Sequence, residues 1–312
     1  MLHNFYFSIT LLLYLFNPST QAFASDTVRV FILAGQSNMV GAGEVESNPS
    51  RNDGKGSLQW LTENSSTKHK YSHLKTDTGA WVQRDDVLIW FLNRNGPLEP
   101  GYGSNTHKIG PELGFGWVVG DAFEEPVLLI KLAWGGKSLA EDFRPPSLEG
   151  DTGAYYIEII EKTKEILNTA DQLFSELKGK TFQLTGFGWH QGWNDRINQS
   201  FNDAYEKNMN QFIKDVRRDL ETPDLPFVIA ETGMSGLEEK HPRALSLMAA
   251  QKAVADYPDF KGNVAFVPTR DFYRPAEVSP SKQAYHWNNN AETYYLIGSH
   301  IGEAMLALLK SK

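Results

Sequence analysis

Apolar and polar positions along this chain follow two patterns. Short, nearly uninterrupted apolar runs occupy residues 28–34, 87–92, 126–132, 182–189, 227–230 and 264–267, as expected of strands buried on both faces of a sheet. Between them the apolar positions fall at helical spacing. Pro111 opens one helix, at a favoured first-turn position. Residues 153–177 carry Ile157, Ile160, Leu167, Leu173, Phe174 and Leu177 near helical spacing, and 201–220 carry Phe201, Tyr205, Met209, Phe212 and Val216 on one stripe. Further helices are expected at 241–256 and 291–309. Strands separated by helices imply right-handed βαβ units and a parallel sheet with both faces covered. About five such strands predict an α/β protein, a three-layer α/β/α sandwich of flavodoxin-like type.

No Pro- or Ser-rich linker and no repeat period divides the chain, so residues 25–312 read as one domain. Three stretches, 44–80, 93–110 and 268–285, are too long for plain connectors and are expected to build the rim of a site. The first 24 residues have a different character. Residues 5–16 are apolar apart from Ser8 and Thr10, too short to span a bilayer comfortably, and Ala22-Phe23-Ala24 supplies a small-x-small cleavage pattern before Ser25. They read as a secretory signal peptide, which predicts a secreted or periplasmic protein free of the membrane after cleavage. The region before residue 5 departs from that pattern, with His3 but no Lys or Arg, and an uncleaved anchor is the alternative.

Composition narrows function mainly by exclusion. Over 312 residues, 41% hydrophobic and 22% charged positions are ordinary for a globular protein with a sizeable core. A net charge of −8 argues against nucleic acid or an anionic membrane as partner, since phosphate binding needs a basic footprint. The absence of cysteine removes thiol nucleophiles, disulfides and cysteine metal sites, so any nucleophile is an oxygen. His69 and His73 sit four apart in a polar stretch without helical character, and no metal or other cofactor is expected.

The chemistry-bearing residues follow the strands. Run 28–34 delivers Gly35-Gln36-Ser37-Asn38, which puts a hydroxyl at the carboxyl end of a sheet, where open α/β folds bind their ligands. A serine esterase needs a hydroxyl, an imidazole base, a group that orients the base, and donors for the developing oxyanion. Ser37 is the candidate nucleophile. His286, between an irregular loop and the last helix, is the candidate base, with His190 at the end of a central strand as competitor. Gly136, in the turn after run 126–132, can present a backbone N–H, and Gln191 and Asn194 bring neutral amide donors in the turn after run 182–189. Trp134, Trp193 and Trp287 lie beside these positions and offer faces to a sugar ring, and Trp81, Trp90 and Tyr285 fall in or beside the same loops. Gln36, Asn38, Trp134, Trp193 and Trp287 are the expected substrate-binding residues.

Four blocks occur in order: Gly-Gln-Ser-Asn-Met from Gly35, a Gly-Gly-x-Ser turn from Gly135, Trp-His-Gln-Gly from Trp189, and His286 ahead of an Asn-Ala-x-x-Tyr helix. Together, over roughly 28–309, they resemble the SGNH hydrolase superfamily, in the branch of sialate O-acetylesterases and related acetylxylan esterases. The resemblance implies a flavodoxin-like sandwich with Ser37 as nucleophile and His286 as base. It also implies an oxyanion hole from the Ser37 and Gly136 N–H groups plus an amide side chain. Two departures bear on the site. Many members of the branch read His-Gln-Gly-Glu where this chain has His190-Gln191-Gly192-Trp193, whereas Gly192-Trp193-Asn194-Asp195 fits the superfamily's wider Gly-x-Asn-Asp block. Gln191 and Asn194 are therefore both candidates for the amide. Members also commonly carry Asp three residues before the catalytic His, where this chain has Gln283. Either Glu277 or Asp271 then turns in as the acid, or a backbone carbonyl holds the imidazole in a Ser–His dyad.

These readings describe an exported serine esterase that removes O-acetyl groups from an oligo- or polysaccharide, acetylated xylan or a sialic acid-type glycan, through an acyl-enzyme on Ser37. A sugar carboxylate would call for a cation, from Arg84, Arg144, Arg196 or Lys137. Two alternatives stand beside it. One is a hydrolase of lipid or general carboxylic esters on the same fold, against which the polar stretch 44–80 argues. The other is a non-catalytic carbohydrate-binding relative, which the missing Asp favours.

Overall fold

The computed structural model describes residues 25–311, so the expected signal peptide lies outside the described residues. The strands are β1 (Thr27–Gly35), β2 (Gly43–Glu44), β3 (Arg84–Phe91), β4 (Arg94–Leu98), β5 (Lys108–Ile109), β6 (Val127–Ala133), β7 (Thr181–His190), β8 (Phe227–Ala230) and β9 (Val264–Val267). Seven of them form one sheet in the order β4-β3-β6-β1-β7-β8-β9, while β2 and β5 make a separate two-residue ladder. Neighbours from β3 to β9 run parallel, and β4 alone folds back antiparallel on β3. Every apolar run thus becomes a strand, and the sheet is larger than the expected size. The extra strand, β4, comes from within 93–110. Its Arg-Asn-Gly-Pro-Leu sequence carries no strand pattern, and Pro97 is tolerated because the strand is an edge.

Each face of the sheet has its own core. Along β1, Val28, Val30, Ile32 and Ala34 enter one core and Phe31 and Leu33 the other, all fully buried. Helices Ala154–Leu173, Gln199–Asp219 and Pro242–Ala255 cover the first core, and Pro111–Gly120 and Ala291–Lys310 cover the second. Three layers, α/β/α, result. Burying each large apolar side chain in these layers stabilises by about 1.5–3 kcal/mol, and a chain without cysteine depends on that sum.

Two expectations need correction. Helix Ala154–Leu173 buries Tyr156, Ile159, Thr163, Ile166 and Ala170, while Ile157 and Leu173 of the expected stripe are exposed. The helix carries apolar residues on two sides, and the one with unbroken alternating three- and four-residue spacing faces the sheet. The second correction concerns 44–80, which is more than a polar rim. It forms helices Leu58–Glu63 and Lys68–Tyr71 and buries Leu58, Leu61, Tyr71 and Leu74 in the core shared with the last helix. The Tyr71 hydroxyl donates to Glu292 Oε1 at 2.9 Å, and Asn52 Nδ2 donates to the Ala276 and Ser279 carbonyls, each at 2.6 Å. This stretch therefore braces the segment that carries His286.

Register brings the site loops together. Gly35 at the end of β1 lies opposite Ala133 on β6 and His190 on β7, so the three central strands end level. β7 reaches that register through a bulge, because Val30 pairs with Leu184 and Phe31 with Gly186, leaving Thr185 unpaired between them.

Candidate active site

Where β1, β6 and β7 end, the chain makes three adjoining turns. Gly35, at φ 152°, passes so close to β7 that a Cβ there would lie 2.2 Å from the His190 carbonyl oxygen, a separation only glycine permits. Ser37 follows as the first residue of the short helix Ser37–Val40, half-buried between the buried Gln36 and Asn38. Gln36 ties this turn to the one after β7. Its Oε1 accepts from the Gly192 N–H at 3.0 Å and the Asn194 N–H at 3.4 Å, and its Nε2 donates to Asn194 Oδ1 at 3.4 Å.

The turn after β6 is laced to the same place. Asn194 Nδ2 donates to the Gly136 carbonyl at 2.7 Å. The Asp195 carboxylate, fully buried, accepts from the N–H groups of Leu139 (2.8 Å) and Ala140 (2.9 Å) and from Gln191 Nε2 (2.6 Å). Burial pushes the Asp195 carboxyl up to about 6, although these hydrogen bonds favour its ion. The two candidate amides therefore differ in situation. Asn194 is half-buried against Gln36 and Gly136, whereas Gln191 is buried and its Nε2 is committed to Asp195 and to the Lys137 carbonyl at 3.0 Å.

His286 arrives from the opposite end of the chain, within the 3₁₀ segment Ala284–Asn289. Asn38, next to Ser37, donates Nδ2 to the Tyr285 carbonyl at 3.0 Å. The Tyr294 hydroxyl lies 2.9 Å from Asn38 Oδ1 and 3.2 Å from the His286 carbonyl, with its single hydrogen divided between them. Ser37 and His286 thus sit in segments bonded to each other. Burial lowers the His286 imidazole from its usual value, and no carboxylate among the described residues raises it. Glu277 is exposed on the 3₁₀ turn Ala276–Val278 and Asp271 on Arg270–Phe272, and among the described residues neither carboxylate is hydrogen-bonded to the imidazole.

Other candidates are placed differently from expectation. His190 is buried, its ring 6.5 Å from that of Trp287, and burial pushes it down to about 4. It lies beneath the turns as a neutral core residue. Trp287 is wholly inside the core and offers no surface to a substrate, while Gln36 and Asn38 are almost wholly buried with their amides engaged inside the chain. Trp134 is half-buried against Tyr155 and Phe143. Trp193 is also half-buried, with its ring 5.8 Å from that of the exposed Tyr285 and the Arg196 guanidinium 4.6 Å over it. A shallow depression lined by Gln36, Asn38, His190, Gln191, Gly192, Trp193 and Thr232 lies next to the turn after β7. Asp195 and Tyr294 were given no role by the sequence. Yet each closes a block quoted above, Gly-x-Asn-Asp and Asn-Ala-x-x-Tyr, which was the available signal.

A model of the family described as "Carbohydrate esterase, sialic acid-specific acetylesterase" matches residues 27–307. The chain belongs to that family. The match takes in every strand of the sheet and both segments that carry Ser37 and His286. Among solved structures, a protein from Arabidopsis thaliana shares the fold with a TM-score of 0.58 and 17% identity, over 89% of this chain and 97% of that one. A carbohydrate acetylesterase from Xanthomonas citri matches with a TM-score of 0.48 and 12% identity, over 88% of this chain and 56% of that one. A carbohydrate esterase family 2 enzyme with a carbohydrate binding domain, from Corynascus thermopiles (Myceliophthora fergusii), gives 0.45 and 14%, over 90% and 67%. No curated protein matches.

The cations of this carbohydrate esterase family member that could meet a sugar carboxylate are engaged within the chain. Arg84 pairs with Asp86 and Asp121, Lys137 with Asp142, and Arg196 with Glu239, while Arg144 donates to the Ala140 carbonyl.

Proposed function

We infer that this protein is an exported esterase that removes acetyl groups from an uncharged carbohydrate through an acyl-enzyme on Ser37. The observation that supports this reading is that the turns carrying Ser37, Gly136 and Asn194 and the segment carrying His286 are tied together at the carboxyl edge of the sheet, Gln36 accepting from Gly192, Asn38 donating to Tyr285 and Asn194 donating to Gly136. His286 takes the Ser37 proton as the hydroxyl oxygen attacks the acetyl carbonyl. The tetrahedral oxyanion is held by the N–H groups of Ser37 and Gly136 and by Asn194, whose amide has a second hydrogen beyond the one given to Gly136. His286 then gives its proton to the departing sugar alkoxide, and water cleaves the acetyl-enzyme by the same steps. With no carboxylate beside the imidazole, the mechanism is that of a Ser–His dyad.

The exposed Tyr285 beside Trp193 offers a sugar ring a face, and the engagement of Arg84, Arg144, Arg196 and Lys137 favours a neutral glycan, acetylated xylan among them, over sialic acid. Residues 1–24 support export. The test is acetate release from acetylated xylan and from O-acetylated sialic acid, with p-nitrophenyl acetate as control and Ser37→Ala alongside. Release from xylan that is lost in Ser37→Ala is expected. Hydrolysis that survives the substitution removes Ser37 from the mechanism, and preference for the sialic acid ester reverses the substrate assignment.

A further inference from the structure

Among the described residues no carboxylate partners the His286 imidazole, yet the segment that carries it is held at several points. Trp287, Asn288 and Asn289 follow it with φ of 51°, 53° and 58°, three consecutive left-handed residues that carry side chains. A run of this kind persists only where its surroundings over-determine it. Trp287 is anchored in the core, Asn288 Nδ2 donates to the Arg274 carbonyl at 3.0 Å, and the His286 N–H donates to the Gln283 carbonyl at 2.8 Å. The two carbonyls flanking the His286 Cα, those of Tyr285 and His286 itself, are taken by Asn38 and Tyr294. Asn38 and Tyr294 also bond each other at 2.9 Å, and both are buried, at 3% and 0% exposure.

We propose that Asn38 and Tyr294 form a buried pin that assumes the positioning task of the absent acid, fixing the His286 backbone to the nucleophile turn so that the imidazole is held in reach of Ser37. The pin acts through the main chain. Asn38 follows Ser37 directly, so a movement of one segment carries the other with it. Both are positioning residues and touch no reacting atom. The proposal rests on the esterase reading above, and it explains how a dyad keeps its geometry without a carboxylate on the imidazole.

Tyr294→Phe is the decisive variant, since it removes one hydroxyl and keeps the ring. It is expected to lower kcat for p-nitrophenyl acetate about 10-fold or more, with KM changed less than about twofold and the thermal midpoint within a few degrees. Asn38→Ala should behave alike, and the double variant should lose no more than the worse single one, because the two act as a unit. An NMR titration of the His286 imidazole reads the same pin without turnover, and its midpoint should move in Tyr294→Phe. Wild-type kcat together with an unmoved His286 titration in Tyr294→Phe overturns the proposal, as do losses that multiply in the double variant. Should Asn38→Ala fail to fold, Tyr294→Phe decides alone. A wild type that hydrolyses no ester sinks the esterase reading instead, and the titration then still judges the pin.

Discussion

Asn194 Nδ2 reaches the Gly136 carbonyl at 2.7 Å, so two donors from turns after different strands behave as one assembly. Asn194→Ala should therefore lower kcat about 100- to 1000-fold, the loss typical of one oxyanion donor, with stability nearly unchanged. Gln191→Ala should do the reverse. It removes two buried hydrogen bonds and one of the three donors on Asp195, at a cost of about 2–4 kcal/mol, while the folded fraction keeps most of its kcat. Urea unfolding and kcat measured on both variants separate the two roles.

The pH dependence of turnover follows from His286. Its imidazole is lowered by burial from the usual 6.5, and the base must be neutral to accept the serine proton. The acid limb of kcat/KM should have its midpoint below 6.5. A midpoint above that value would require a carboxylate beside the ring.

His190 should leave its mark on stability rather than turnover. Burial depresses it to about 4 in the folded chain, so between about 4 and 6.5 the unfolded state binds the extra proton. Stability from this residue is present above 6.5 and is lost as pH falls towards 4, by roughly 3 kcal/mol in total. Chemical denaturation of His190→Leu across that interval should show a shallower decline than wild type.

Beneath the helix Ser37–Val40, Lys131 donates to Glu112 Oε2 at 2.6 Å and to the carbonyls of Val40 and Tyr102, each at 2.7 Å, with both charged side chains fully buried. Lys131→Met strands the Glu112 carboxylate and should cost about 3–5 kcal/mol in denaturant unfolding. Adding Glu112→Leu should recover part of that loss, since the isolated charge is gone although the two carbonyls stay unmatched.

Tyr285→Ala should raise KM for an acetylated oligosaccharide about 5- to 10-fold and leave ethyl acetate, an ester with no ring to stack, nearly untouched. Equal effects on both esters would assign Tyr285 to holding His286, whose ring lies 4.6 Å from it. Trp287→Ala should instead destabilise by about 3–5 kcal/mol, as expected of a buried indole.

The parallel strands were legible because each is buried on both faces, which leaves a continuous apolar run in the sequence. β4 was not, because an edge strand takes its conformation from its neighbour and needs no apolar pattern of its own. The buried stripe of Ala154–Leu173 was misread because Ile157 and Leu173 are as apolar as Ile159 and Ile166, and its unbroken spacing runs through Tyr156, Thr163 and Ala170, which apolarity alone does not single out. At the site, Ser37, Gly136 and Asn194 stood out through turn chemistry, which is local. Gln36, Asn38 and Trp287 stood out too, but their burial is a tertiary property, and it turned expected substrate contacts into internal supports. Gln283 in the place of an acid was visible at once, whereas the hydroxyl of Tyr294 at the carbonyl of His286 was visible only in three dimensions.

The two residues proposed to react lie near opposite limits of the described chain, one just after β1 and the other just before the final helix. Ser37 lies ahead of six of the seven strands of the sheet and His286 after all of them, so the two meet only when the sheet is complete. A polypeptide truncated ahead of residue 286 would hold the proposed nucleophile without its proposed base, and the proposed cleavage would wait on the docking of the helix Ala291–Lys310.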